Sequence, residues 1–263
     1  MMRILVGLTT AAVMALSTPG TAVAAQPASA RLQADLARYA ATRSDTVSVG
    51  VYDLTTRRTY GYRTAAAYDN ASIIKVNILQ TVLWRAQRAG RWLTAWEQQQ
   101  AVPMIRSSSN DAATALWNHV GGARGVAAYD KVLGLRGTTF DAAGRWGLTR
   151  STVGDQLTLL KAAMAPGGPL SARSRVFLRT QMARVASDQR WGVSAGVPAG
   201  HTELKNGWLP RATNGWRINS IGQVKVNGRY YLIAVLTTDN TSMAYGIATV
   251  EGISRIVYRD LAP

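Results

Sequence analysis

The sequence predicts an α/β fold in two lobes, and three observations carry that prediction. Residues 47–53 and 59–62 alternate apolar and polar side chains as a pair of short strands does, early in the chain. Residues 76–183 then show only helical spacing and loop signals. From His201 alternation returns in three segments, the last two joined by Asn227-Gly228, a dipeptide suited to a two-residue hairpin turn. Two early and three late strands around a helical insert give an α/β lobe from residues 26–75 and 184–263 and a helical lobe from residues 76–183.

Residues 1–25 read as a secretory signal, with Arg3, an apolar run from Ile4 to Leu16 and small residues at Ala22-Val23-Ala24-Ala25. They are excluded from the fold, and a secreted, extracellular product is expected. The run is too short to span a membrane, and no other stretch approaches spanning length. Residues 30–42 place Leu32, Leu36, Tyr39 and Ala40 at helical spacing. Residues 54–58 turn the chain between the first two strands. A long helix is expected over 72–89, with Asp69 or Asn70 as N-cap and Gly90 closing it. Thr94 and Glu97 have capping-box spacing and open the next helix. Further helices follow over 109–119, 125–133, 151–163 and 171–183, with Pro166-Gly-Gly-Pro169 as a breaker. The late strands are expected over 202–206, 217–225 and 229–238, and residues 243–258 close the chain as an amphipathic helix.

Composition narrows the chemistry. The chain has 263 residues, 47% of them hydrophobic, which is ample for a core. It has no cysteine, so a cysteine nucleophile, a thiolate metal site and lipidation on cysteine are excluded within these residues. Two histidines, His119 and His201, argue against a histidine-rich metal centre. No cofactor and no metal are expected. The formal charge of +16 is mostly arginine and is dispersed, which favours polyanions; outside a cell, anionic wall polymers are the candidate partners. No nucleic-acid-binding motif is present, so nucleic acid is not an expected partner. The expected state is a monomer.

Three short motifs carry chemistry. In Ser72-Ile-Ile-Lys75, helical spacing puts hydroxyl and amine one turn apart on one face. A lysine among apolar neighbours loses basicity and can take the proton of a nearby hydroxyl, which gives a serine nucleophile without histidine. In Ser108-Ser109-Asn110, a loop entering a helix offers a hydroxyl and an amide two residues apart. In Lys205-Asn206-Gly207-Trp208, strand alternation puts Lys205 and Gly207 on one face, where a glycine would let a substrate backbone lie against the strand.

In this order the three motifs resemble those of the penicillin-recognising serine enzymes, closest to the class A β-lactamases and related to the D,D-peptidases. The resemblance covers nearly all of the chain after the signal. It implies a five-stranded antiparallel sheet flanked by helices, with an all-helical lobe. It implies Ser72 as acylated nucleophile, Lys75 as its proton acceptor, and Ser108, assisted by Lys205, as relay to the leaving nitrogen. Asn110 would bind the acyl-side amide, and the N–H groups of Ser72 and Trp208 would form the oxyanion hole. Asn206, Gly207 and Arg217 would complete substrate binding. The substrate class implied is a β-lactam or another small-molecule or peptide acyl donor.

Departures from the family pattern refine the expectation. Lys205-Asn206-Gly207 has an amide where the family carries a hydroxyl that meets a substrate carboxylate. The segment between Lys75 and Ser108 is short. Residues 141–149 are short as well and contain no glutamate, whereas class A enzymes keep there the glutamate that activates the deacylating water. A serine hydrolase that acylates on Ser72 and turns over β-lactams slowly is expected. A D,D-peptidase or esterase of the same superfamily, and a binding protein for wall peptide or β-lactam with impaired turnover, are the alternatives. Gly192-Val-Ser-Ala-Gly196 has the form of a nucleophile elbow with His201 downstream, but lacks helical pattern after Ser194.

Overall fold

The computed structural model describes residues 28–213 and 215–261. The signal-like residues 1–25 lie outside them. Helix α1 (Ala28–Ala41) leads into strand β1 (Thr46–Asp53) and its hairpin partner β2 (Thr59–Tyr62). A three-residue strand β3 (Ala67–Asp69), a 3-10 turn (Ala71–Ile73) and helix α2 (Ile74–Arg88) follow. Helices α3 (Ala95–Arg106), α4 (Asn110–His119) and α5 (Gly122–Leu133) precede a loop, a short strand β4 (Arg150–Thr152), and helices α6 (Val153–Met164) and α7 (Ala172–Ala183). Strands β5 (Thr202–Pro210), β6 (Trp216–Val226) and β7 (Arg229–Asn240) and helix α8 (Met243–Leu261) complete the chain.

Helix starts follow their caps. Thr94 accepts from the Glu97 N–H while the Glu97 carboxylate accepts from the Thr94 N–H, the reciprocal box its spacing predicts. Ser109 and Ser171 cap α4 and α7 with their hydroxyls. Thr152 caps α6, which starts two residues later than expected because residues 150–152 pair with 67–69 as a ribbon. Asn227 and Gly228 both take positive φ, 47° and 78°, as a mirror-image hairpin turn requires.

The large sheet runs β2-β1-β7-β6-β5, every pair antiparallel. Strands from the two ends of the chain therefore meet at its centre, where Val49 stands opposite Val235. Both faces are covered. Along β7, Tyr231, Ile233 and Val235 join α1 and α8 in one core, while Leu232, Ala234 and Leu236 join the helices α2 to α7 in the other. The functional groups sit where the helical side meets the free edge of β5. Among the described residues, no helix is long and apolar enough to cross a membrane.

Candidate active site

Ser72 lies in the 3-10 turn ahead of α2, not inside one continuous helix. The turn is fixed from both sides. The Asn70 N–H donates to the Thr149 carbonyl at 2.7 Å, and Ser151 Oγ donates to Asn70 Oδ1 at 2.5 Å. From β6, Asn219 Nδ2 reaches the carbonyls of Asp69 and Asn70 at 2.9 and 3.1 Å. The Asn70 side chain is thus spent on β4 and does not cap the turn, contrary to the sequence expectation. Held this way, Ala71 takes φ +49°, a left-handed conformation that costs a non-glycine residue on the order of 1 kcal/mol. Gly207 explains how close β5 comes. A Cβ there would stand 2.8 Å from the Asn70 carbonyl oxygen and the Ser72 nitrogen and 2.9 Å from the Ile73 nitrogen. The glycine therefore admits the nucleophile turn, where the sequence suggested room for a substrate backbone.

Two amines converge on one hydroxyl. Lys75 Nζ donates to Ser108 Oγ at 3.1 Å, and Lys205 Nζ donates to the same oxygen at 2.9 Å. Lys75 also reaches the Ser108 carbonyl at 2.6 Å and Asn110 Oδ1 at 2.8 Å, and Lys205 the Asn206 carbonyl at 2.8 Å. Ser108 takes φ +56°, which turns its carbonyl and its hydroxyl toward the same amine. Burial pulls Lys75 down to about 7. Burial, with the neighbouring Lys75 charge second, holds Lys205 well below the ordinary lysine value. Among the described residues neither amine donates to Ser72 Oγ; the link between them is Ser108.

A cavity of about 530 Å³ opens over Ser72, Ser108 and Asn110. One wall is the end of β5 with Trp208, Leu209 and Arg211 beyond it. The other is the loop at 141–148, with Arg145, Trp146 and Leu148. The Trp146 ring lies over Lys75, its centroid 5.0 Å from Nζ, and its indole N–H donates to Thr114 Oγ1 at 3.1 Å. Asp141 clasps this loop through both oxygens, bound to Arg145 Nε at 3.0 Å and Nη2 at 2.7 Å. That guanidinium keeps the Asp141 carboxyl down at about 2. Among the described residues no carboxylate bonds to Ser72, Lys75, Ser108 or Lys205.

Ser72, Ser108, Asn110 and Trp208 thus line one opening, with Lys75 and Lys205 bonded to Ser108 and Gly207 packed against the Ser72 turn. Two expected residues do not join them. Asn206 is 1% exposed and faces away, donating to the carbonyls of Gln189 and Trp191 and accepting from Ser220 Oγ at 2.6 Å. Its substitution for a hydroxyl serves the packing behind the strand. Arg217, opposite Leu209 in the ladder, pairs with Asp69 at 3.2 Å and with the carbonyls of Thr213 and Gly215, and does not line the cavity. Ser194 sits on a run of turns with no strand before it or helix after it, so the nucleophile-elbow alternative has no structural support. Sequence reasoning missed Arg145, Trp146, Leu148 and Arg211. For Trp146, its place in the shortened loop was the available signal.

A family model described as the β-lactamase enzyme family matches residues 87–261. The match includes Ser108, Asn110 and Lys205 and begins beyond Ser72 and Lys75. Proteins of Mycobacterium tuberculosis and Mycobacterium bovis described as "Putative lipoprotein LppW" are 26% identical over 201 residues, which is 74% of this chain. The matched region spans 64% of those relatives' length. A class A β-lactamase of Bacteroides cellulosilyticus superposes with a TM-score of 0.79 at 19% identity, over 90% of this chain and 99% of its own. The TLA-1 extended-spectrum β-lactamase gives 0.80 at 16% identity over 90% and 100%. The chromosome-encoded β-lactamase of Vibrio parahaemolyticus gives 0.75 at 17% over 88% and 99%. These superpositions establish the fold, and with well over half its length matched the chain belongs to the β-lactamase enzyme family.

Proposed function

We propose that this chain is an exported serine hydrolase of the cell envelope that forms an acyl-enzyme on Ser72 and releases it to water slowly. The observation that carries the reading is Ser108 Oγ held between two buried amines, 3.1 Å from Lys75 and 2.9 Å from Lys205. With its basicity reduced to about 7, Lys75 is a competent acceptor for the Ser72 proton at neutral pH. Ser72 Oγ attacks the acyl carbon of a β-lactam, ester or amide. Its proton passes to Lys75, and Ser108 relays a proton to the departing nitrogen or oxygen as that bond breaks. Lys205 keeps Ser108 oriented through its 2.9 Å hydrogen bond to Oγ.

The N–H groups of Ser72 and Trp208 suit the oxyanion. β5 is the edge strand, and its Asn206 carbonyl turns away from β6 to accept from Lys205. By strand parity Trp208, two residues on, turns its N–H to the same free side. Each such donor contributes roughly 3 kcal/mol of transition-state stabilisation. Asn110 gives its Oδ1 to Lys75 and keeps its amide hydrogens for the acyl-side amide of the substrate. Slow release follows from what covers Lys75: an indole ring, and no carboxylate to polarise a water. The signal-like residues 1–25 and the lipoprotein description of the mycobacterial relatives support an envelope setting.

Intact-mass measurement after exposure to benzylpenicillin and to a phenylacetyl thioester tests this. The expected result is a covalent adduct, absent in Ser72→Ala, that persists for many minutes with the penicillin. Rapid return to free protein contradicts slow release, and the absence of any adduct with both compounds overturns the acylation reading.

A further inference from the structure

The cavity lined by Ser72 and Ser108 also takes in Asn110 and Trp208, assigned above to the acyl-side amide and the oxyanion, so the acyl part of a substrate lies within it. Its walls there are apolar: Trp146 and Leu148 on the loop, Trp208 and Leu209 on β5. Among the described residues its charged lining groups are two guanidiniums, Arg145 and Arg211, with no carboxylate beside them.

The two arginines are not equivalent. Arg145 is held by both oxygens of Asp141. Among the described residues the Arg211 side chain pairs with Asp69 alone, and at 3.9 Å it is the most distant of three guanidiniums on that carboxylate, behind Arg217 at 3.2 Å and Arg150 at 3.8 Å. One negative charge among three positive ones leaves a surplus at the cavity wall. Arg211 combines the weakest hold on Asp69 with a side chain 36% exposed, so it can turn to a ligand at little cost.

We infer that the outer part of this cavity is a subsite for an anionic group on the acyl portion of the substrate, with Arg211 as its specificity-determining residue. The substrate class is an acyl donor with an apolar or aromatic stem ending in a carboxylate. The stem lies between Trp146 and Trp208, and the carboxylate takes the planar guanidinium in a charge-assisted, two-point contact. A neutral donor fills the same walls but leaves the guanidinium in water. This inference rests on Ser72 being the acylated residue.

Two arylacetyl thioesters with the same leaving group, one bearing a ring carboxylate and one not, test it on the full chain. Thiol release and intact mass give the acylation rate of each. The carboxylate compound is expected to react about tenfold faster. Arg211→Gln is expected to bring the two rates within twofold of each other. Arg184→Gln, which removes a charge from the exposed residue after α7, is expected to keep the preference, so the general basicity of the chain is controlled. Equal rates in the wild-type chain, or a preference that survives Arg211→Gln, overturns the subsite. The same pair as unreactive carboxamides, bound to Ser72→Ala and followed by tryptophan fluorescence, separates the two readings. A binding preference there, lost with Arg211→Gln, upholds the subsite even if Ser72 never acylates; equal binding overturns it.

Discussion

Ser108 is the residue on which both amines depend, and its left-handed backbone is the structural cost of that role. With Lys75 as the proposed base, acylation requires its neutral form. Its value falls from 10.5 to about 7, so the acylation rate should climb as pH rises through about 7 and level off above it. A rate independent of pH between 5.5 and 8.5 would remove Lys75 as the base. Lys75→Arg, permanently charged, should lower acylation at least ~100-fold. Gly207→Ala places a methyl against three backbone atoms of the nucleophile turn, none of which can rotate aside. It should cost about 1–3 kcal/mol of stability and most of the acylation rate while β5 stays paired, read by thermal melting beside thioester turnover. At this scale the meeting of Lys75 and Lys205 at Ser108 was legible because reactive side chains at fixed spacing leave few other uses. The placement of Asn206 and Arg217 away from the cavity was not, because alternation tells which face of a strand a residue occupies, but not what packs on that face.

The loop at 141–148 lays an indole over Lys75, its centroid 5.0 Å from Nζ. Trp146→Ala should let water reach Lys75. Because burial is what depresses that amine, its value should move back up, and the acid limb of the acylation profile should shift to higher pH. The lifetime of the acyl-enzyme should shorten in the same variant as water gains access; an unchanged limb and lifetime would show the ring to be a bystander. Helices with side-chain caps were readable to within a residue or two, as with Thr94 and Ser171. The β3–β4 ribbon was not, since three-residue strands are too short to show a period, and its cost was a misplaced start for α6. The 3-10 turn under Ser72 was hidden too, because apolar spacing in α2 continues smoothly back through it.

Across the whole molecule, stability has its own pH dependence. Asp130 on α5 is 5% exposed and accepts from Asn77 Nδ2 on α2 at 2.8 Å. Its second oxygen and Asn77 Oδ1 are buried without partners among the described residues. Burial raises the Asp130 carboxyl from 3.8 to about 6. The folded state therefore holds this proton more tightly than the unfolded state, so the contribution is complete below about 4 and is lost as pH rises through about 6. On the order of 2–3 kcal/mol is at stake. Asp130→Asn removes the charge and supplies a donor, and should raise the melting temperature at pH 7.5 by several degrees while changing little at pH 4; no gain at pH 7.5 would refute the assignment. The five strands of the large sheet were legible from alternation, whereas their order was not, since pairing between residues 46–53 and 229–240 leaves no local mark.

That pairing has a consequence for when the protein can work. The central strand of the sheet is the last one synthesised, and the edge strand that backs the Ser72 turn is the first of the final three. A chain whose residues 202–240 have not yet paired lacks both Lys205 and the glycine that seats the Ser72 turn. Such long-range closure is slow to form. Under the proposed function, reactivity would therefore wait for the last strand of the sheet.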